Sequence, residues 1–200
     1  MRRAELAELL YITSIDNVVS ICKRGILSHN GIRQLGLKHN SVAMKEIQEI
    51  RKDVKVTGTG KPLHDYANLY ICARNPMLLI RQSQHKGICV LRVSCDVLDI
   101  PGTIVTDGNA ASGHSRFEPA PSGLSIVDRE RTFARYWTDN VMAVYYRKKS
   151  QKCAEVLVPD RVPPKHLQGA YVSCGQARDV LEKLQTGLAI TVDADLFFNP

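Results

Sequence analysis

One acidic residue opens an otherwise apolar segment of the sequence. Glu155 stands directly before the run Val156-Leu157-Val158, which has the composition of a buried strand. A carboxylate held by a rigid strand at the mouth of a cleft can stabilise developing positive charge or orient a sugar hydroxyl. A glutamate at an exposed strand end would have neither role, and the spacing by itself favours that simpler interpretation.

Two tyrosines lie four residues apart in another strand-like segment. Tyr66 and Tyr70 follow a glycine-containing turn, and their equal parity in a strand directs both side chains to one face. Such a pair can sandwich a planar ring such as nicotinamide. The alternative interpretation is that this face belongs to the hydrophobic core.

Residues 129–152 carry much of the positive charge of the chain. This segment has seven basic and two acidic residues, and the whole chain has a net charge of +7. Tyrosine and tryptophan side chains are interleaved with these charges: Tyr136, Trp137, Tyr145 and Tyr146. A charge run alone is typical of a solvated face, but cations mixed with aromatic rings suit the backbone and bases of a single-stranded nucleic acid. We therefore favour nucleic-acid binding for this segment.

Several common chemistries have no support in the sequence. It lacks a phosphate-binding loop, a G-x-G-x-x-G motif, an H-E-x-x-H motif and a G-x-S-x-G motif. The six cysteines lie far apart, without the paired Cys and His spacing of zinc sites. We predict that the cysteines are reduced and mostly buried, and that the protein uses no metal.

The composition predicts a soluble globular protein. The chain has 200 residues, of which 44% are hydrophobic and 24% charged. No apolar run approaches the roughly 20 residues of a membrane span, so we expect no membrane partner. Glu5 and Glu8 interrupt the apolar N-terminal residues, which indicates no secretory signal and predicts a cytoplasmic location. Without an internal repeat or a linker, residues 1–200 are expected to form a single domain.

Short strand-like and helix-like segments alternate in irregular order along the chain. Strands are predicted at residues 11–13, 68–73, 88–93, 103–105, 154–158, 169–173 and 188–192. Helices are predicted at residues 16–24, 41–50, 76–81, 129–137 and 176–185, with Asp16 and Ser41 as caps of the first two. This order predicts an α+β fold with a mixed or mostly antiparallel sheet. Residues 107–125, rich in Gly, Ser and Pro, are predicted to form a long functional loop.

Five sequence blocks, taken in order, resemble one known family. They are Tyr11-Ile12-Thr13-Ser14-Ile15-Asp16-Asn17, Leu63-His64-Asp65-Tyr66, Arg74-Asn75-Pro76-Met77-Leu78, Thr106-Asp107-Gly108-Asn109-Ala110-Ala111-Ser112 and Lys152-Cys153-Ala154-Glu155-Val156-Leu157-Val158-Pro159. Each block alone is a weak signal, but five in order between residues 10 and 198 are specific. The sequence resembles DarT, the toxin family of the DarTG toxin–antitoxin pairs.

This resemblance implies a fold and a reaction. The fold would be that of the poly(ADP-ribose) polymerase-like ADP-ribosyltransferases, with a split mixed or antiparallel central sheet, flanking helices and an NAD cleft. The reaction would transfer ADP-ribose from NAD, the co-substrate, to a base of single-stranded DNA and release nicotinamide, with thymine as the expected base. The implied partners are single-stranded DNA and a macrodomain antitoxin, and no metal is implied.

The resemblance also assigns site residues. Glu155 matches the catalytic glutamate, and Arg51 matches the arginine of the NAD-binding loop, which would also be catalytic. Further cofactor contacts are implied for Tyr11, Thr13, Asn17, Tyr66, Tyr70 and Arg74. In one departure, Tyr11 and Ser14 occupy positions where many relatives have histidine. A tyrosine hydroxyl is bulkier but can still bond a ribose hydroxyl or a carboxamide.

A single DNA strand would lie along the loop and the basic segment. The expected nucleic-acid contacts are Asn109, His114, Arg116, Arg147, Lys148, Lys149 and Lys152. Two alternatives stay open at this point: a transferase of the same fold that acts on guanine or on RNA, and a non-catalytic basic module that binds single strands. We expect the protein to be a monomer.

Overall fold

The computed structural model describes residues 1–199, which form ten strands and seven α-helices joined by loops and short 3-10 turns. The strands are β1 (Leu9–Ser14), β2 (Ile26–Leu27), β3 (Tyr66–Tyr70), β4 (Ile88–Val93), β5 (Ile104–Thr106), β6 (Phe117–Pro119), β7 (Glu155–Pro159), β8 (Arg161–Val162), β9 (Leu167–Val172) and β10 (Ile190–Val192). The helices are α1 (Val18–Arg24), α2 (His29–Gln34), α3 (Lys45–Asp53), α4 (Pro76–Ile80), α5 (Arg129–Phe133), α6 (Met142–Gln151) and α7 (Gly175–Glu182).

Across residues 1–199, no helix combines the length and the apolar character needed to cross a lipid bilayer.

Eight strands form one sheet in the order β10-β9-β4-β1-β3-β7-β5-β6, and β2 pairs with β8 separately. Neighbouring strands of the large sheet are antiparallel except for β9 and β10, which are parallel. β1 and β4 pair along six positions and β3 and β7 along five, whereas the β1–β3 pairing consists of Leu10 opposite Tyr70. The sheet is therefore split between β1 and β3, and a cleft opens there.

Apolar side chains cover both faces of the central strands. Leu9 and Leu91 belong to the largest core cluster, whereas Leu10 and Val90 belong to a second cluster that also includes Phe197. Since successive strand residues point to opposite faces, β1 and β4 are buried on both sides. Close packing on both faces holds these strands in place beside the cleft.

Local sequence signals explain two helix boundaries near the cleft. Asn75 Oδ1 accepts hydrogen bonds from the amides of Met77 at 3.0 Å and Leu78 at 3.1 Å, with Pro76 in the first turn of α4. This confirms the predicted start of that helix. Gly25 ends α1 with a φ of 88°, and a Cβ atom there would lie 2.1 Å from the carbonyl oxygen of Val162.

The predicted α+β class and the split, mainly antiparallel sheet are confirmed, but the predicted caps of the first two helices are wrong. Ser14 Oγ, and not the side chain of Asp16, accepts the first hydrogen bond, from the Asp16 amide at 3.3 Å, and a 3-10 turn precedes α1. α3 begins at Lys45 instead of Ser41, because Ser41 Oγ turns back to the Ala43 amide.

Two segments differ from the sequence-based expectation in opposite ways. The predicted long loop at residues 107–125 contains β6, which pairs with β5, and it leads into a 3-10 turn at Ser122–Ile126. The basic segment contains α6, for which no helix was predicted. Apolar and basic residues are mixed around α6, so its sequence lacks the one-sided pattern that predicts a surface helix.

Candidate active site

The cleft between β1 and β3 holds a cavity of about 510 Å³. Strands β1 and β3 contribute one part of its lining, and α3 with the residues before it contributes another. Helix α6 adds Tyr146 and Lys149 to the lining. A cavity of this volume lies within the usual range for small-molecule and cofactor sites.

Glu155 and Arg51 form a buried ion pair at this cavity. Arg51 donates hydrogen bonds from Nη1 to Oε1 of Glu155 at 3.1 Å and from Nη2 to Oε2 at 2.9 Å. The amide of Ala110 donates to Oε1 at 3.1 Å. The side chain of Glu155 is 1% exposed and is not part of the cavity lining, whereas its partner Arg51 lines the cavity. The planar guanidinium matches both carboxylate oxygens and therefore fixes the orientation of Glu155.

Strand pairing and a side-chain hydrogen bond position Glu155. Tyr70 on β3 lies opposite Glu155 on β7, and residues opposite each other in an antiparallel pair share a face. The Glu155 amide donates to Oγ1 of Thr106 at 3.1 Å, and this hydroxyl donates to the carbonyl of Gly108 at 2.7 Å. The start of β7 is thereby tied to the loop that carries the Ala110 amide.

The loop after β5 is packed against the end of α6. The Asn109 amide donates to the carbonyl of Ser150 at 3.1 Å, and Ser115 Oγ donates to the carbonyl of Asn109 at 2.7 Å. A Cβ atom at Gly108 would lie 2.7 Å from Ser150 Oγ and 3.2 Å from the Ser150 carbonyl oxygen, so glycine allows the close approach without a shift of Ser150. The amide that contacts Glu155 is therefore held by packing instead of being left mobile.

Burial and charge shift the pKa values of the groups around the ion pair. Burial lowers the pKa of Arg51, but the charge of Glu155 and the hydrogen bonds to it raise that pKa, and the net pKa lies above the ordinary value. Burial, followed by the charge of Glu155, raises the pKa of Tyr70 well above its ordinary value. Burial also raises the pKa of Tyr11 to about 12. Near neutral pH, Arg51 is therefore a cation, and both phenols are neutral hydrogen-bond donors.

Five predicted cofactor residues besides Arg51 line the cavity: Tyr11, Thr13, Asn17, Tyr66 and Tyr70. Asn17 Nδ2 donates to Oγ1 of Thr13 at 3.1 Å and to the carbonyl of Asn40 at 2.9 Å. Tyr66 Oη lies 3.1 Å from Oγ1 of Thr59. The structure brings these side chains together, and their contacts with NAD stay predictions.

Arg74, a predicted cofactor residue, is not part of the cavity lining, and its contact with NAD stays a prediction. Its Nε donates to the carbonyl of Asp195 at 3.0 Å, and its Nη1 donates to the carbonyl of Arg135 at 2.9 Å. The guanidinium also lies 4.3 Å from the centre of the Phe198 ring. These contacts direct Arg74 to the C-terminal residues instead of the cleft.

The predicted nucleic-acid contacts occupy different environments. Asn109 and Lys149 line the cavity, whereas His114 and Arg147 are exposed. The ammonium of Lys149 lies 5.8 Å from the centre of the Tyr145 ring. The contacts of these four residues with DNA stay predictions.

Two other predicted contacts have acidic partners. Lys148 Nζ lies 2.7 Å from Oδ2 of Asp139, and Arg116 Nε lies 2.7 Å from Oδ2 of Asp107. Arg116 remains 64% exposed, so solvent screens its pair strongly. Lys148 is half-buried, and its charge is largely matched by Asp139.

Lys152 is wrong as a nucleic-acid contact. The residue is 1% exposed, and its Nζ donates to the carbonyl of Thr132 at 2.8 Å and to Sγ of Cys72 at 3.2 Å. The charge count of the segment suggested a surface lysine, but Lys152 follows α6 and turns inward at the start of the buried β7 region. Its side chain cannot reach DNA without leaving the core.

Sequence reasoning missed two histidines in the cleft. His29 and His64 both line the cavity, and their rings stack with centroids 4.2 Å apart. Burial, followed by the charges of His29 and Arg51, lowers the pKa of His64 to about 4, so its ring is neutral at neutral pH. The available signal was the position of His64 two residues before Tyr66. Within residues 1–199, no three His, Cys, Asp or Glu side chains are grouped as a metal site would require.

Comparisons with known proteins identify similar sequences. Residues 10–198 match a family model described as "DarT: ssDNA thymidine ADP-ribosyltransferase, DarT". A DNA ADP-ribosyl transferase–DNA ADP-ribosyl glycohydrolase fusion protein of Thermosipho africanus is 32% identical over 204 residues, which cover 96% of this chain. A DNA ADP-ribosyl transferase of a Thermus species is 34% identical over 146 residues, which cover 68% of each chain. This chain spans about half the length of the Thermosipho protein, since the match covers 50% of it.

Solved structures show the same fold. The Thermus DarT in complex with ADP-ribosylated ssDNA has a TM-score of 0.82 to this structure and 25% identity, and the match covers 98% of both chains. The Thermus DarT in complex with NAD+ has a TM-score of 0.75 and 24% identity, and the match covers 96% of this chain and 98% of the other. The overall fold of this chain is therefore that of these solved structures.

Proposed function

The chain belongs to the DarT family, and from this premise we propose that it transfers ADP-ribose from NAD to a thymine base of single-stranded DNA, releasing nicotinamide. The observation that carries the proposal is the buried Glu155–Arg51 pair at a cavity lined by Tyr66 and Tyr70. The Thermus relative supports both substrates, since it has been solved with NAD+ and with ADP-ribosylated ssDNA.

The residues of the cleft fit NAD. Tyr66 and Tyr70 offer aromatic rings to a planar group, and Thr13 and Asn17 offer polar groups to a ribose. His64 also lines the cleft, and among residues 1–199 its buried Nε2 atom has no hydrogen-bond partner. Such an unpaired atom in the wall of a cavity is expected to gain a partner when a ligand or water binds.

Glu155 supplies the electrostatic part of the reaction. Bound NAD provides a bond from ribose to nicotinamide that breaks with positive charge developing on the ribose. The Glu155 carboxylate stabilises that charge, and Arg51 and the Ala110 amide hold it in place beforehand. Because Arg51 keeps its proton, we assign it to orienting Glu155 and an NAD phosphate instead of removing a proton from the base.

Helix α6 is the proposed path of the DNA strand. Tyr146 and Lys149 line the cavity, and Arg147 is exposed on the same helix. Aromatic rings stack on unpaired bases, and basic side chains contact phosphates. A duplex hides the reactive edge of a base, so a single strand or an extruded base is the expected substrate.

Mass spectrometry of oligonucleotides tests the proposal. Single-stranded DNA with one thymine in a defined context is incubated with NAD and the protein, and matched strands carry guanine, adenine or cytosine at that position. We expect a gain of one ADP-ribose on the thymine strand, located on the base by fragmentation. An RNA strand of the same sequence is expected to stay unmodified.

Two variants make this test specific. Glu155→Ala is expected to abolish the mass gain, whereas Glu118→Gln, which changes an exposed carboxylate on β6, is expected to leave it intact. Modification of guanine or RNA alone would replace the proposed acceptor. An absence of both transfer and NAD binding would leave a non-catalytic single-strand-binding module.

We further propose that a macrodomain antitoxin with DNA ADP-ribosyl glycohydrolase activity reverses the modification. The Thermosipho relative supports this partner, because its name combines the two activities in one protein. The expected result is that a DNA ADP-ribosyl glycohydrolase added to the modified oligonucleotide restores its original mass. Survival of cells that express this chain together with such an enzyme, and death of cells without it, would support the toxin role.

We also propose that residues 1–200 act as one monomeric domain in the cytoplasm. One sheet contains strands from both ends of the chain, β1 and β10, and all six cysteines are free, as is usual in a reducing compartment. Light scattering coupled to size exclusion is expected to give the mass of one chain, 22.3 kDa. A mass of about twice that value would contradict the monomer.

A further inference from the structure

The residue pair of Cys72 and Lys152 lies outside the chemistry proposed above. Lys152 Nζ donates to Sγ of Cys72 at 3.2 Å, and the two residues are 80 positions apart in the chain. Cys72 follows β3, and Lys152 lies three residues before Glu155. The pair thus connects the two strands that carry Tyr70 and Glu155.

The surroundings of Lys152 leave its amine without a counter-ion. Lys152 is 1% exposed, and the second partner of Nζ is the carbonyl of Thr132 at 2.8 Å. Among residues 1–199, the ion pairs within 4.0 Å include no carboxylate at this Nζ. A buried amine without a carboxylate is unusual, because lysine is rarely buried unless it is paired.

The sulfur of Cys72 is oriented toward this amine. Its thiol donates a weak hydrogen bond to the carbonyl of Arg74 at 3.9 Å, which leaves a sulfur lone pair for the N–H of Lys152. Cys72 is buried, with 8% of its surface exposed, so peroxide must enter through a local opening to reach the sulfur. Cys153, which follows Lys152 in the sequence, differs from Cys72. Burial raises the pKa of the Cys153 thiol to about 12, so this thiol stays protonated and unreactive.

We propose that Cys72 and Lys152 form a reversible oxidative cross-link, a sulfenamide between Sγ and Nζ, when the protein meets hydrogen peroxide. In the first step, the sulfur takes one peroxide oxygen, the O–O bond breaks, and the products are a sulfenic acid and water. In the second step, the Lys152 amine gives one proton to water and its nitrogen attacks the sulfur; the S–N bond forms, the S–O bond breaks, and the hydroxyl group leaves with a second amine proton as water. A dithiol reduces the S–N bond and returns the thiol and the amine, becoming a disulfide itself.

The geometry suits this closure. The nitrogen and the sulfur already touch at 3.2 Å, so the second step needs only a small approach of two side chains. One N–H remains on the product nitrogen and can still donate to the carbonyl of Thr132. The closed bond would span 80 residues and would constrain the unfolded chain as a disulfide over a long loop does.

The test combines peroxide treatment of the full chain with thiol alkylation and mass mapping. The cross-linked protein is expected to lose about 2 Da, to keep five of its six cysteines alkylatable and to give a tryptic peptide that joins Cys72 to uncleaved Lys152. Dithiothreitol is expected to reverse all three changes. The thermal midpoint of the oxidised protein is expected to rise by several degrees.

Two variants separate the cross-link from other oxidations. Cys72→Ser keeps a hydrogen-bond acceptor for Nζ and is expected to lose the mass change and the rise of the thermal midpoint. Lys152→Met keeps the buried volume, and its Cys72 is expected to gain about 16 or 32 Da by oxygen addition instead. Only four alkylatable cysteines, which would indicate a disulfide, or oxygen addition at Cys72 of the unchanged protein with a free Lys152, would overturn the proposal.

Discussion

The buried Glu155–Arg51 pair beside the cavity, called the floor here, and the exposed surface of α6 place their charges in opposite environments. At the floor, Glu155 and Arg51 are buried and bonded to each other through two hydrogen bonds, and Ala110 adds a third. On α6, Arg147 is exposed, and Lys149 is half-buried at the rim of the cavity. Burial removes the screening that water and salt provide on the surface.

This difference separates two tasks in the proposed reaction. A buried carboxylate with fixed partners acts on charge that develops in the transition state and needs no rearrangement to do so. Exposed cations attract phosphates at long range, and their contribution decreases with salt. We therefore expect the floor to govern turnover and α6 to govern affinity for DNA.

The largest expected effect comes from changing the floor. Glu155→Gln keeps the shape of the side chain but removes its charge, and we expect the rate of transfer to fall about a thousandfold. Quantitative mass spectrometry of the thymine oligonucleotide measures this rate, with Glu118→Gln as the matched control. A Glu155→Gln protein that keeps a tenth or more of the activity would show that the charge is not required.

Changes to the Glu155–Arg51 pair are expected to affect stability and activity differently. Glu155→Gln leaves the Arg51 cation buried without a counter-charge, which is expected to lower the free energy of unfolding by about 3 kcal/mol. Arg51→Gln together with Glu155→Gln removes both charges and is expected to recover part of this loss while transfer stays absent. Urea unfolding measures both variants, and a double variant less stable than the single one would contradict the account.

A smaller effect is expected from the surface. Arg147→Ala removes one phosphate contact on α6 and is expected to weaken DNA binding about tenfold at low salt, with less effect at high salt. Fluorescence anisotropy with a labelled single strand measures the affinity. Lys23→Ala on α1 removes an equally exposed charge far along the chain and serves as control. Equal losses in the two variants would show that net charge, and not the α6 contact, determines affinity.

The last expected effect is a dependence of stability on pH that arises from His64 in the cleft. The folded-state pKa of His64 is about 4, below the ordinary value of 6.5, so the unfolded chain binds a proton here more readily than the folded one. The stabilisation from neutral His64 is therefore complete above about pH 6.5 and is lost as the pH falls toward 4, by at most about 1.4 kcal/mol per pH unit. Urea unfolding at pH 7 and pH 5 measures this slope. His64→Gln is expected to flatten it, and an unchanged slope would contradict the assignment.

The sequence predicted the strands that carry Glu155 and Tyr70 better than it predicted the contacts of the basic side chains. Glu155 and Tyr70 were identifiable because apolar strands flank them, and strand pairing then places them opposite each other. Lys152 was misassigned because a charge count carries no information on which lysine turns inward. No local pattern could indicate that Arg74 contacts Asp195 and Phe198, because both lie more than a hundred residues away in the chain.

Two other features depended on contacts that a sequence pattern does not contain. The role of the Ala110 amide follows from the close approach of the loop to Ser150, which Gly108 allows. The stacking of His29 on His64 joins α2 to the turn before β3. Both features depend on a tertiary contact between segments that are distant in the sequence, so neither could be predicted from a local pattern.

One measurement tests the division between floor and surface most directly. Steady-state kinetics of transfer to the thymine oligonucleotide, at saturating NAD, gives kcat and the KM for DNA for Arg51→Lys and Arg147→Ala. Lysine cannot hold both oxygens of Glu155, so Arg51→Lys is expected to lower kcat about a hundredfold with little change in KM. Arg147→Ala is expected to raise KM about tenfold with kcat nearly unchanged. If both variants changed the same parameter, the separation of turnover from DNA affinity would be wrong.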